Sequence, residues 1–272
     1  MTPAFLDFQG IRLAYYEKHP EQAQTIFFLH GNSSSSRTWQ AQWESPLFEG
    51  YRLIAIDMPG HGASGVSANP AMDYTMKGLA LILAEAINAL TRGPYIVCAT
   101  SLATNITAEM IAYGIEPAGI LLEGASVIGE GIGLDKVTQP GVDISPITMD
   151  EVPAASVEGY SRVVFHTVDV DTLRQFVEDF LAVQAPFRTT IIGSIFSGQM
   201  SDQVNLLRGF SSPLAFVYGE EELVVNTGYL SGVDVPKWRN QIFLIPDAGH
   251  LAHVEQPEAF NELLSSFAQD CL

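Results

Sequence analysis

One stretch constrains this chain more than any other: Tyr95-Ile96-Val97-Cys98-Ala99-Thr100-Ser101-Leu102-Ala103-Thr104-Asn105. An apolar run of strand length meets a single hydroxyl between small residues, and a helix-compatible segment then continues to about Tyr113. A strand that turns sharply into a helix holds the serine at its corner in a strained backbone conformation. The residues two before and two after that serine must be small, so that strand and helix can approach. Ala99 and Ala103 meet the requirement, alanine being the smallest side chain after glycine.

The rest of the chain supplies the sheet such a corner needs. Strand-like pieces at Phe5–Phe8 and Ile11–Tyr16 flank the turn signal Gln9-Gly10. Thr25–Leu29 is a continuous apolar run, as central parallel strands are. His30-Gly31-Asn32-Ser33-Ser34-Ser35-Ser36 follows it and reads as a loop whose backbone amides face an anion, Gly31 permitting close approach. The strand Tyr51–Ile56 ends in Asp57-Met58-Pro59-Gly60-His61-Gly62-Ala63-Ser64, a tight loop in which the glycines assign His61 a shaping role rather than one as base or ligand. A helix is expected from about Tyr74 to Leu90, and another buried strand at Gly119–Leu122. This alternation predicts a mostly parallel, doubly wound sheet.

The alternation stops between about Ala125 and Arg208. Gly129 to Pro153 reads as a long loop. Leu173, Phe176, Val177, Phe180 and Leu181 then mark an amphipathic helix, with Asp169 or Asp171 as its N-cap. A helical insertion here predicts a cap over the carboxyl ends of the strands, dividing the chain into core 1–124, cap 125–208 and core 209–272. Phe165, Phe176, Phe180, Phe187, Ile192 and Ile195 are expected to pack the cap, some of them also facing a pocket. Strands return at Leu214–Tyr218 and Gln241–Ile245, and a closing helix begins at Pro257.

Composition excludes several function classes. With 47% hydrophobic residues the chain can build a large core, and no apolar run approaches the ~18 residues of a membrane span. A formal charge of −18 repels nucleic acid and anionic membranes, so neither is an expected partner. The Met1–Asp7 start has no signal-like pattern, and Cys98 and Cys271 lie in contexts that do not suggest a disulfide, so a cytoplasmic location is expected. Oligomeric state is not legible.

A serine hydroxyl needs a base to take its proton and an acid to fix that base's tautomer. His250 follows the last strand within Ala248-Gly249-His250, and Gly219-Glu220-Glu221-Glu222 follows the penultimate one. With these motifs in the order Ser101, Glu222, His250, the chain resembles the α/β-hydrolase superfamily along its whole length. Within it the chain is most similar to the N-acyl-homoserine lactone hydrolases of that fold, through His30–Ser35, Asp57–Gly62, a glutamate acid and a cap helix bearing Tyr160. Ala99 and Ala103 stand where the family usually has glycine.

The resemblance implies an α/β-hydrolase fold with a helical cap after the sixth strand, and a cofactor-free serine hydrolase of a small-molecule ester or lactone. Ser101 is then the nucleophile, His250 the base and Glu222 the acid, with the backbone amides of Asn32 and Leu102 holding the oxyanion. Tyr160 either reaches a substrate carbonyl or is an amphipathic core residue. Glu220, Glu221 and Glu123 compete with Glu222 as acid; Glu123 as acid would favour a cofactor-independent oxygenase on the same fold. A general carboxylesterase is the other alternative, and the intact serine–acid–histidine set argues against a non-catalytic member. His253 pairs with His250 in sequence, but no third ligand or diagnostic spacing accompanies them, so no metal is expected.

Overall fold

The computed structural model describes residues 1–272. Its sheet contains β1 (Ala4–Phe8), β2 (Ile11–Lys18), β3 (Thr25–Leu29), β4 (Arg52–Ile56), β5 (Tyr95–Thr100), β6 (Gly119–Glu123), β7 (Leu214–Gly219) and β8 (Phe243–Ile245). They lie in the order β1-β2-β4-β3-β5-β6-β7-β8. The first two pair antiparallel and β2 joins β4 antiparallel, whereas every pairing from β4 through to β8 is parallel. All positions of β3 to β7 are buried, which explains why they read as unbroken apolar runs rather than alternating ones.

Alternate side chains feed two cores. Phe27, Leu29, Val97 and Ala99 face α1 (Met76–Leu90) and α2 (Leu102–Met110). Ile26, Phe28, Ile96 and Cys98 face Trp39, Phe48 and the later closing helix. Helices on both faces of a mostly parallel sheet make this a doubly wound α/β fold. The helix expected from Tyr74 starts at Met76, because the Thr75 hydroxyl accepts the Gly78 N–H and caps it there.

Between Glu123 and Leu214 the chain leaves the sheet and forms α3 (Ala154–Val164), α4 (Val170–Ala182), α5 (Phe187–Phe196) and α6 (Gln203–Arg208). Asp169 caps α4, accepting from Asp171 N and Thr172 N. The expected loop 129–153 contains two short helical pieces, Leu134–Val137 and Ser145–Thr148. The closing helix, α7 (Pro257–Cys271), buries Phe260, Leu264 and Phe267. Cys98 and Cys271 are both free thiols. No helix is long and apolar enough to cross a membrane.

The carboxyl end of β7 is the tightest junction. A Cβ on Gly219 would sit 2.0 Å from the Ala248 carbonyl oxygen and 2.2 Å from that of Gly249. Both are backbone atoms of the loop after β8, so no side chain can swing aside. Gly219→Ala is expected to cost about 1–3 kcal/mol or more, read as a lower denaturant midpoint at unchanged slope. Turnover should fall with it, since the displaced loop carries His250.

Candidate active site

Ser101 sits between β5 and α2 at φ 54°, ψ −126°. Its N–H donates to the Glu123 carbonyl at 2.9 Å, and its own carbonyl accepts from the Thr104 amide at 2.8 Å and hydroxyl at 2.6 Å. Ala99 and Ala103 are fully buried at its flanks. A Cβ on Gly31 would lie 2.9 Å from the Ser101 Cβ, so the loop after β3 can pass this close only as glycine.

Three strand ends converge on the hydroxyl. Ser101 Oγ lies 2.8 Å from His250 Nε2, and His250 Nδ1 lies 2.7 Å from Glu222 Oε2. The other oxygen, Oε1, accepts from Val224 N at 2.7 Å and Val225 N at 3.1 Å, locking the carboxylate. With Nδ1–H directed at the carboxylate, Nε2 is left to accept the serine proton. Burial pulls the His250 pKa down, but the charge of Glu222 and the hydrogen bond to it, helped by Glu123 and Glu255, prevail and raise it.

Glu220 and Glu221 are exposed, whereas Glu222 is buried. Glu123 is fully buried but belongs to another histidine: its Oε2 is 2.6 Å from His253 Nδ1, and its Oε1 accepts the His253 N–H at 2.8 Å. The two histidines that stand together in sequence therefore diverge, each to its own glutamate. His61 shapes its loop as expected, with Nδ1 on the Pro59 carbonyl and Nε2 accepting from Ser33 N at 3.3 Å. Burial lowers its pKa well below the histidine norm, so the ring stays neutral.

The amides of Asn32 and Leu102 donate to no protein acceptor. Leu102 opens a helix and has no intrahelical acceptor within reach. Both residues line a cavity of about 110 Å³ that reaches Ser101 and His250. Hydrophobic side chains make up 15 of its 25 lining residues, so an apolar tail can be buried there. Phe176, Ile192 and Ile195 face the cavity, whereas Phe165, Phe180 and Phe187 are buried in packing. The unstructured-looking segment contributes too, through Leu134, Val137, Ile144 and Ile147. Tyr160 lines the same cavity, and burial raises its pKa, keeping the phenol a donor.

Arg188 on α5 escaped notice in the sequence. Its Nε donates to Ser33 Oγ at 2.8 Å, and Ser33 Oγ in turn donates to Asn32 Oδ1 at 2.8 Å, tying the helical segment to the Asn32 turn. Its only signal was a lone cation in the otherwise uncharged run from Phe187 to Phe196.

Comparison with known proteins agrees with the fold. The model of the alpha/beta hydrolase family matches residues 26–263, and the chain belongs to that family. The N-acyl homoserine lactonase AidH, as a serine-to-glycine variant complexed with N-hexanoyl homoserine lactone, superposes with a TM-score of 0.90 at 26% identity, covering 100% of this chain and 98% of that one. The pimeloyl-[acyl-carrier protein] methyl ester esterase of Nitrosomonas europaea is 25% identical, over 86% of this chain and 92% of its own. The human protein provisionally named protein-lysine deacylase ABHD14B is 35% identical, over 96% and 92%.

Because Nε2 must be unprotonated to accept the serine proton, the raised pKa has a visible consequence. The acidic limb of kcat/KM is expected above the ordinary histidine range, activity falling as pH drops through it. Glu222→Gln should shift that limb to lower pH and cut kcat by roughly 10³–10⁴-fold. Glu123→Gln should cost far less. The reverse ranking in pH–rate profiles would make Glu123 the orienting acid.

Proposed function

We propose that the chain is a cofactor-free serine hydrolase of carboxylic esters that opens the ring of N-acyl homoserine lactones. The observation that carries this reading is Ser101 Oγ, 2.8 Å from His250 Nε2, facing a mostly apolar cavity beneath the helical segment. The likeness to AidH over the whole chain favours a lactone among esters. Residues 125–208 serve as the cap, and two free cysteines suit a cytoplasmic enzyme.

Ser101 Oγ attacks the ring carbonyl carbon while His250 Nε2 takes its proton. The carbonyl oxygen becomes an oxyanion held by the amides of Asn32 and Leu102, donors of the kind whose loss costs about 2.7–4 kcal/mol. Collapse of the tetrahedral intermediate breaks the ring C–O bond, and His250 returns the proton to the departing alkoxide. Water, deprotonated by His250, then attacks the acyl-serine and releases the open-chain hydroxy acid and Ser101. Glu222 holds the imidazole in register and stabilises its charged form. Tyr160 donates to a substrate carbonyl. An ester carbonyl has less resonance stabilisation and a better leaving group than an amide, so the ring opens and the side-chain amide survives. Each methylene of the acyl tail adds about 0.8 kcal/mol of binding until the cavity is full. The formal charge of −18 favours release of the carboxylate product.

Mass spectrometry of the product distinguishes the outcomes. Ring opening adds one water to the intact molecule, while amide cleavage releases a free fatty acid. Ser101→Ala should fold normally and lose nearly all turnover, and normal hydrolysis by that variant would end the acyl-enzyme reading. Turnover of simple aryl esters without ring opening would leave a general carboxylesterase.

A further inference from the structure

The pairing of Glu123 with His253 leaves a second relay beside the first. His253 Nε2 lies 2.9 Å from the hydroxyl of Thr38, so Thr38–His253–Glu123 repeats the order hydroxyl–imidazole–carboxylate of Ser101–His250–Glu222. Thr38 lines the same cavity as Ser101 and His250. We propose that Thr38 is the subsite for the amide N–H of an N-acyl substrate, its hydroxyl made a pure acceptor by the buried His253–Glu123 pair. This rests on the ester-hydrolase reading above and names the feature by which that site selects among esters.

The direction of the hydroxyl follows from the partners. Both Glu123 oxygens face N–H groups of His253, so the carboxylate accepts and Nδ1 carries the ring proton. Nε2 then accepts, and the single Thr38 O–H is spent on it. What remains toward the cavity is lone pairs. The other groups assigned to substrate, the Asn32 and Leu102 amides and the Tyr160 phenol, are all donors and suit carbonyl oxygens. An N-acyl lactone also brings one N–H, two bonds from the carbonyl carbon under attack, and it needs an acceptor near Ser101.

Packing alone does not account for the relay. Glu123 and His253 are both fully buried, His253 stacked on Trp39 at 4.1 Å. Replacing a buried pair of this kind by apolar residues of similar volume is often neutral or stabilising. The backbone is anchored by Glu123 Oε1 on His253 N and by Gln42 on the His253 carbonyl, neither of which uses Nε2. The ring's remaining hydrogen bond goes to Thr38 alone.

Two substrate pairs, each differing by N–H against O, test this. One is N-hexanoyl homoserine lactone with α-hexanoyloxy-γ-butyrolactone. The other is the para-nitrophenyl esters of N-hexanoylglycine and of hexanoyloxyacetic acid. The native enzyme should prefer the amide member in kcat/KM by roughly tenfold or more, because the oxa analogue sets lone pairs against lone pairs. Thr38→Val, or Thr38→Ala if the valine variant does not fold, should bring that ratio close to one, chiefly by loss on the amide; Thr38→Ser should keep it. A ratio that survives in both variants, or that vanishes instead in Thr138→Val or Ser126→Ala on other parts of the wall, overturns the proposal. Lactones left intact while the aryl pair is discriminated through Thr38 would sink the lactonase reading and leave this one standing.

Discussion

The backbone of Ser101, at φ 54° and ψ −126°, is the constraint around which the site is built. A non-glycine residue keeps such a conformation only where its surroundings over-determine it, at a cost of order 1–3 kcal/mol. Here the Glu123 carbonyl fixes its N–H, Thr104 fixes its carbonyl, and Gly31 closes over it without a side chain. The strain has a use. It lifts the hydroxyl out of the sheet toward His250 and leaves the Leu102 amide free beside it. The alanines flanking the corner, where glycine is the family's habit, show that the requirement is smallness rather than backbone freedom.

The Glu123 carbonyl and the Glu123 carboxylate face different tasks. The first pins the Ser101 backbone, and the second is spent on His253. β6 and β7 are adjacent and parallel, with Glu123 ending the first and Glu222 in the loop after the second, so each strand offers a buried carboxylate to the loop after β8. What decides between them is the loop after β8. Its backbone is held by the close approach to Gly219 and by the His250 N–H on the Val164 carbonyl at 2.8 Å. That placement sets His250 beside Glu222 and passes His253 on toward Glu123.

Much of this was legible in the sequence. Buried parallel strands announce themselves as apolar runs, and β3 was readable to the residue. The edge strand β8 was not, because Phe243 and Leu244 are only partly covered and Gln241 and Ile242 fall outside the ladder. Ser101, His250 and the acidic triplet ending at Glu222 stood out because each follows a strand at a turn. The choice among glutamates rests on which side chain turns inward, and linear spacing does not encode that. Thr38 and Arg188 had no motif at all. One is a threonine two places past four serines, the other a cation on a helix, and each is tied to a partner more than a hundred residues away.

Those distant partners mean that the helical segment is not a passive lid. Arg188 is almost fully buried with no carboxylate in salt-bridge contact, and burial pulls its pKa down to about 10. It spends its donors on Ser33 and on the carbonyls of Met149, Asp150 and Phe180. Lifting α5 away would strand that guanidinium and free the Asn32 turn, one of the two proposed oxyanion donors. On the far side, Glu255 receives the His166 and Thr167 amides through Oε2 and the Gly249 amide through Oε1, joining the end of α3 to the His250 loop. Arg37 and Ser35 hold Asp179 on α4 in the same manner. The segment that shapes the cavity thus also braces the Asn32 turn and the His250 loop. For the proposed ester hydrolase, substitutions in it that reshape the cavity will register in kcat as well as in KM, because the same contacts carry both.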